Sequence, residues 1–333
     1  MKAIIPLAGK GTRLRPHTLT TPKPLVKVGG RPVMSYIMDD LIALGIEEFV
    51  FIVGYLREVI EEYIAREYPG IVAHYVLQEV QDGTAGAIRL AEPFADDEVL
   101  IVFVDTLFDA DLSLAKTLPS DWAGVIWAKE VEDYQRFGVI VTGEDGSMRK
   151  IIEKPTEPVS KLANIGLYYI RDWKLLFEGI HHVIDAPPGP GGEWFLTDAF
   201  QYMVDKGAKI RTAAVGGWYD CGKMETLLGT NHHLLATTRG GISPDASLED
   251  TDIMEPVRIE AGAKLRTVAL GPNVTVEADA VVEDSTLSHC IVGEGAVVRG
   301  SRLENSMIGP GSLVARMRGQ VNVGAFSEVR GEG

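Results

Sequence analysis

Residues 9–14, Gly9-Lys10-Gly11-Thr12-Arg13-Leu14, directly follow a short apolar run and combine two glycines with two cations. Glycines let a backbone come close to a phosphate, and successive N–H groups can cradle an anion. Arg13 can then hold a phosphate through two parallel hydrogen bonds. The spacing is neither GxxxxGK[ST] nor GxGxxG, and taken alone it also fits a tight turn with a surface arginine. Lys23 then stands between Pro22 and Pro24. Two prolines fix the local backbone, so this cation is held rather than free. A preorganised cation shortly after a phosphate loop suits charge that develops on a phosphoryl group.

Such residues need a frame. Lys2 to Leu7 reads as a buried strand, Met34 to Leu44 is apolar at helical spacing, Phe49 to Val53 is a second short apolar run, Glu58 to Glu67 is helical again, and Val99 to Val104 is a third buried strand. Strands alternating with helices predict an α/β fold, with a mostly parallel sheet covered on both faces. Ligands on such sheets bind at the carboxyl ends of strands. The Pro- and Gly-rich stretch DAPPGPGGE, residues 185–193, must be a loop, either a cover near a site or a surface excursion.

From about Asp250 the texture changes. Aliphatic residues repeat six apart at Leu270, Val276 and Val282, at Val292 and Val298, and at Ile308 and Val314. A six-residue step with small residues at the corners predicts a parallel β-helix, preferred here over an antiparallel β-sandwich. The expected division is a first domain over residues 1–235 and a β-helix domain over 250–333, joined by a linker within 231–250.

The stretch from Gly9 to Met34, GKGTRLRPHTLTTPKPLVKVGGRPVM, resembles the signature of the sugar-1-phosphate nucleotidyltransferases. The closest pattern is that of long-form glucose-1-phosphate thymidylyltransferases, which carry a C-terminal left-handed β-helix. The resemblance implies a Rossmann-like mixed sheet flanked by helices, followed by a short left-handed parallel β-helix. It implies a nucleotide against Leu7, Ala8, Gly9, Gly11 and Thr12, with Arg13 and Lys23 catalytic. The segment QEVQDGTAGA, residues 78–87, resembles the base-reading segment of that family. Carried over, Gln78 meets the base edge, with Gly83 and Thr84 beside it.

Later motifs follow in the same order. Asp105 stands where the family keeps a metal-binding aspartate, although Val104 and Thr106 replace its usual glycine and asparagine. A carboxylate at a strand end suits Mg²⁺, which takes one or two carboxylates plus phosphate oxygens. Arg136-Phe137-Gly138-Val139-Ile140, Glu153-Lys154-Pro155 and Asn164 resemble the segments at the sugar phosphate, and imply roles for Gly138, Glu153, Lys154 and Asn164 there. Thr197 and Asp198, in a segment resembling Gly-Glu-x-x-Ile-Thr-Asp, are expected to cap a helix rather than act on substrate. Trp218-Tyr219-Asp220-Cys221-Gly222 resembles the motif with the second metal-binding aspartate, so Asp105 and Asp220 would hold one Mg²⁺.

The implied reaction is an in-line displacement. A phosphate oxygen of a sugar 1-phosphate attacks the α-phosphorus of a nucleoside triphosphate, and pyrophosphate leaves. The nucleophile is already an anion, so positioning and cations must supply most of the rate. Gln78 favours dTTP or UTP, with glucose 1-phosphate as the first acceptor. A mannose-1-phosphate guanylyltransferase and a catalytically weak, sugar-nucleotide-binding regulator are the alternatives.

Bulk properties narrow the rest. The chain has 333 residues, 46% hydrophobic and 24% charged, with a formal net charge of -15. So acidic a chain lacks general attraction to nucleic acid or anionic membranes, and a phosphate site must be a local basic pocket. Cys221 and Cys290 form no CxxC or Cys/His cluster and are expected to be inert thiols. The seven histidines show no metal-ligand spacing. The N-terminal apolar run is too short for a signal segment and no stretch reaches membrane-spanning length, so a cytoplasmic enzyme is the expectation. The β-helix has too few coils and too few histidines for an acyltransferase. It is expected to serve structure or assembly, in a homo-oligomer.

Overall fold

The computed structural model of the chain describes residues 1–332. Contacts divide it into two compact units, one of residues 1–9 and 37–218, the other of residues 10–36 and 219–333. Among the described residues, no helix is long and apolar enough to cross a membrane.

The first unit is built on a nine-stranded sheet. Its strands are β1 (Lys2–Pro6), β2 (Glu48–Val53), β3 (Val72–Leu77), β4 (Val99–Val102), β5 (Gly124–Glu130), β6 (Gly138–Thr142), β7 (Met148–Glu153), β8 (Leu162–Ile170) and β9 (Ile210–Ala214). The order β7-β6-β8-β4-β1-β2-β3 forms the main path, with β5 beside β8 and β9 beside β5. Strands β4, β1, β2 and β3 are mutually parallel, whereas β8 runs antiparallel to β4, β5 and β6. The sheet is therefore mixed. Strand β4 is the sequence Val-Leu-Ile-Val with every residue buried, the composition of a strand covered on both faces. It ends at Val102, two residues short of the apolar run.

Two later helices close one face. In Trp173–Asp185, Asp172 caps the start by accepting from Leu175 N at 3.1 Å, and Leu176, Phe177, Ile180 and Val183 form the buried stripe. In Leu196–Asp205 the buried residues include Leu196, Ala199, Phe200 and Met203. Both stripes join Ile88, Ile126 and Tyr168 in one core. Burying each large apolar side chain contributes roughly 1.5–3 kcal/mol.

In the second unit, residues 241–330 wind as stacked parallel strands. Ser247 pairs with Lys264, Lys264 with Val281, Val281 with Val297, Val297 with Leu313, and Leu313 with Glu328. Each coil places aliphatic residues in a narrow core that includes Leu270, Val276, Val282, Val292, Val298, Ile308 and Val314. Those are the residues of the six-residue step, and the architecture is the expected parallel β-helix. Its corners recur at matching positions: Asp250, Thr267, Asp284 and Arg316 have φ of 49°, 54°, 49° and 55°. Such corners leave backbone N–H groups turned inward, and a serine ladder satisfies them. Ser285 Oγ accepts from Ser301 N at 3.0 Å, and Ser301 Oγ accepts from Met317 N at 3.1 Å.

The stretch 231–250, read as a linker, is more structured than that. The helix Met224–Leu234 runs into it, and β-helix strands begin at Gly241. Asn231 is fully buried, and its Oδ1 accepts from Gly29 N at 2.9 Å and from Thr275 Oγ at 2.8 Å. Lys27 bridges to Glu277 at 3.2 Å and Glu294 at 3.1 Å, and His17 Nε2 lies 2.7 Å from Asn322 Oδ1. The segment 10–36 is thus fastened to the β-helix by side chains far away in sequence.

Candidate active site

In the first unit, the parallel strands β1, β3 and β4 bring their carboxyl ends to one edge of the sheet. Leu7, Ala8 and Gly9 follow β1, Gln78 follows β3, and Asp105 lies just beyond β4. Leu7 N donates to Ile52 O at 2.7 Å. Gln81 Nε2 donates to Ala8 O at 2.7 Å, tying the segment after β3 to the end of β1. Gln78 is buried, and its Nε2 donates to Asp82 Oδ1 at 3.3 Å. Gly83 has φ 108°, and Trp194 N, 2.6 Å from where its Cβ would stand, leaves no room for a side chain. Thr84 is engaged elsewhere in this unit: its Oγ accepts from Leu196 N at 2.8 Å, at the start of the helix Leu196–Asp205.

Asp105 is half-buried between two buried residues, Val104 and Thr106. The hydroxyl of Thr106 is buried without a hydrogen-bond partner. Among the described residues, no three His, Cys, Asp or Glu side chains gather where they could hold a metal.

The four residues expected at the sugar phosphate lie together. A Cβ on Gly138 would strike Asn164 Nδ2 and would stand 2.9 Å from Glu153 Oε2 and 2.8 Å from Thr197 Cγ2. The Asn164 amide, the Glu153 carboxylate and the Thr197 methyl therefore crowd the bare Cα of one buried glycine. Asn164 Nδ2 donates to Gly138 O at 2.8 Å, and the hydroxyl of Tyr168 donates to Asn164 Oδ1. Lys154 Nζ lies 3.5 Å from Glu153 Oε1 and 4.8 Å from the ring centre of Phe195. Burial pushes the Glu153 carboxyl above its ordinary value, against the opposing pull of Lys154 and the Thr197 bond.

Thr197 is the residue that sequence reasoning placed elsewhere. It was expected to cap the helix Leu196–Asp205, but no side chain caps that helix at its N-cap position, Phe195. Instead Thr197 Oγ donates to Glu153 Oε2 at 3.2 Å. Its position next to Asp198 gave a capping signal, and only the packing of that helix on β7 reveals the other partner.

The second unit carries Gly11, Thr12, Arg13, Lys23 and Asp220. Thr12–Leu14 and Lys23–Leu25 are each one turn of 3₁₀-helix. Gly11 has φ 59°, and a Cβ there would stand 2.9 Å from Lys23 Cβ and 3.1 Å from Thr18 Cγ2. The turn at Gly11 and the proline-flanked Lys23 are thus in contact. Thr18 Oγ donates to Gly11 O at 2.8 Å and secures the turn. Asp220 Oδ1 accepts from Gly222 N at 2.7 Å. A Cβ on Gly222 would stand 2.8 Å from that oxygen and 3.1 Å from an Arg13 guanidinium nitrogen, so Arg13 and Asp220 meet over this glycine. Cys221 and Cys290 are buried and unbridged, and burial pushes the Cys290 thiol up to about 11.

A mixed α/β sheet with glycine and polar residues gathered at the carboxyl ends of its parallel strands has the frame of a ligand-binding α/β protein. The nucleotidyl transferase family model matches residues 2–237. The UTP–glucose-1-phosphate uridylyltransferase AglF of Haloferax volcanii is 34% identical over 222 residues, 66% of this chain and 89% of the relative. A glucose-1-phosphate thymidylyltransferase of Streptomyces griseus is 29% identical over 321 residues, 89% of this chain and 88% of the relative. The bifunctional protein GlmU of Methanocaldococcus jannaschii is 33% identical over 264 residues, 79% of this chain and 61% of that longer protein. The chain belongs to the nucleotidyl transferase family and is a sugar-1-phosphate nucleotidyltransferase.

Proposed function

We propose that the chain transfers a thymidylyl or uridylyl group from dTTP or UTP to glucose 1-phosphate and releases pyrophosphate. The observation that supports the acceptor is the gathering of Glu153, Asn164 and Thr197 around Gly138, with Thr197 Oγ hydrogen-bonded to Glu153. A carboxylate, an amide and a hydroxyl suit the alternating donors and acceptors of a sugar ring. Lys154, at the rim of that cluster, suits the phosphate the sugar carries. The similar relatives named for uridylyl and thymidylyl transfer to glucose 1-phosphate support the same choice.

In this reading Arg13 neutralises the leaving pyrophosphate, Lys23 supports charge at the α-phosphorus, and Lys154 orients the attacking phosphate. Gly9 and Gly11 let the backbone approach the triphosphate. Asp105 and Asp220 offer hard carboxylate oxygens, both half-buried, which is the donor type Mg²⁺ takes. Mg²⁺ bound there would neutralise phosphate charge and orient the triphosphate.

The test is pyrophosphate release with Mg²⁺, either glucose 1-phosphate or mannose 1-phosphate, and each of dTTP, UTP, GTP, CTP and ATP. Fast release with dTTP or UTP is the expected result. Release confined to GTP with mannose 1-phosphate would replace this reading by the guanylyl alternative.

A further inference from the structure

Gln78 ends in an amide, and an amide has two orientations of nearly equal shape and opposite hydrogen-bonding character. Which one a buried glutamine adopts is decided by its neighbours. Here Gln78 Nε2 donates to Asp82 Oδ1 at 3.3 Å. A carboxylate has no proton to give, so it accepts the NH₂ end and would repel the carbonyl end.

Asp82 is itself held firmly. Its carbonyl oxygen accepts from Trp194 N at 2.8 Å. Its carboxylate lies over the bare Cα of Gly86, where a Cβ would overlap both oxygens and stand 2.4 Å or less from the carboxylate carbon and Oδ1. The preceding residue, Gln81, is tied to Ala8 O at 2.7 Å, and Gln78 N donates to Val53 O at 2.8 Å. The whole loop from 78 to 83 is pinned at both ends and in the middle.

We propose that Asp82 is a positioning residue that locks the Gln78 amide with its carbonyl toward the bound base, and so selects nucleotides whose base edge carries a ring N–H. This rests on the reading that Gln78 meets the base. Uracil and thymine present N3–H and guanine N1–H to such a carbonyl. Cytosine N3 and adenine N1 are acceptors and leave two oxygen or nitrogen lone pairs facing each other. A site built around one hydrogen-bond polarity discriminates strongly against the opposite one.

The experiment compares kcat/KM for UTP and CTP in the wild type, in Gln78→Ala, in Asp82→Asn and in Gly86→Ala. Asparagine can donate as well as accept, so D82N frees the Gln78 amide to turn. G86A crowds the carboxylate away from Gln78 and provides a second route should D82N fold poorly. The expected result is a preference for UTP over CTP that falls by roughly tenfold or more in Q78A, in D82N and in G86A. A merely structural role would lower activity with both nucleotides alike and leave the ratio unchanged. Loss of the preference in Q78A with the ratio intact in folded D82N or G86A overturns the lock while keeping Gln78 as reader. A wild-type enzyme without the preference, or a Q78A variant that keeps it, overturns the base reading and the lock together.

Discussion

The hydroxyl of Thr197 donates to Oε2 of Glu153 across 3.2 Å, joining the first turn of a helix to the end of strand β7. It orients a carboxylate that burial holds above its ordinary pKa. In Thr197→Val the shape is kept and the bond is lost. Such a bond to a charged group is worth about 1.5–3 kcal/mol. We expect kcat/KM for the sugar phosphate to fall by at least about tenfold. Steady-state kinetics alongside a melting curve check this.

The raised Glu153 pKa has a pH consequence of definite sign. The folded protein favours the protonated carboxyl, so the stability linked to it is full below the ordinary glutamate pKa and lost as pH rises through the raised value. Substrate binding runs the other way, because the carboxylate is the better acceptor. KM for the sugar phosphate should rise as pH falls through the raised pKa, and Glu153→Gln should flatten that profile. A wild-type KM that stays level from neutral to acid pH counts against the role.

Gly11 and Lys23 are in contact, so each should be sensitive. Gly11→Ala places a methyl 2.9 Å from Lys23 Cβ in a backbone conformation that side chains rarely adopt, with φ 59°. Turnover should fall in G11A without a matching loss of fold. Lys23→Ala should lower kcat by more than about tenfold, roughly 1.4 kcal/mol of barrier. Wild-type turnover in K23A would remove Lys23 from the catalytic set.

Asp105→Asn and Asp220→Asn should each lower activity by about a hundredfold or more, on the order of 3 kcal/mol. Each should also raise the Mg²⁺ concentration needed for half-maximal rate. Chelation of divalent ions should silence the wild type, and Mg²⁺ should restore it. An unchanged Mg²⁺ titration in either variant would exclude that aspartate as a ligand.

Lys27 and Glu277 form a pair in which the carboxylate side chain is only 4% exposed. Removing one partner of a buried pair costs about 3–5 kcal/mol, because the remaining charge is stranded. Lys27 is partly solvated, so Lys27→Met should lie near the lower end. The double variant Lys27→Met with Glu277→Gln should recover part of the loss, as a coupled pair does. Chemical denaturation of the single and double variants measures both effects.

Much of this protein was legible in the linear order of residues. The strands that begin at Lys2, Glu48 and Val99 and the stacked coils that begin at Gly241 are carried by local patterns. Apolar runs of strand length and a six-residue step are properties of neighbouring residues, so a chain read in order reveals them. The antiparallel course of β8 beside β4 is not local, and neither is the grouping of residues 10–36 with the β-helix. The fastening of Gly29 to Asn231 and of His17 to Asn322 depends on pairs separated by 202 and 305 positions. The partner of Thr197 was hidden for the same reason. A hydroxyl beside an aspartate at a helix start reads as a cap, and only the packing of that helix against β7 turns it toward Glu153. Sequence by itself determined which residue types were available for the chemistry. Tertiary structure decided which of them share a site, because hydrogen bonds act over about 3 Å whatever the number of residues between the partners.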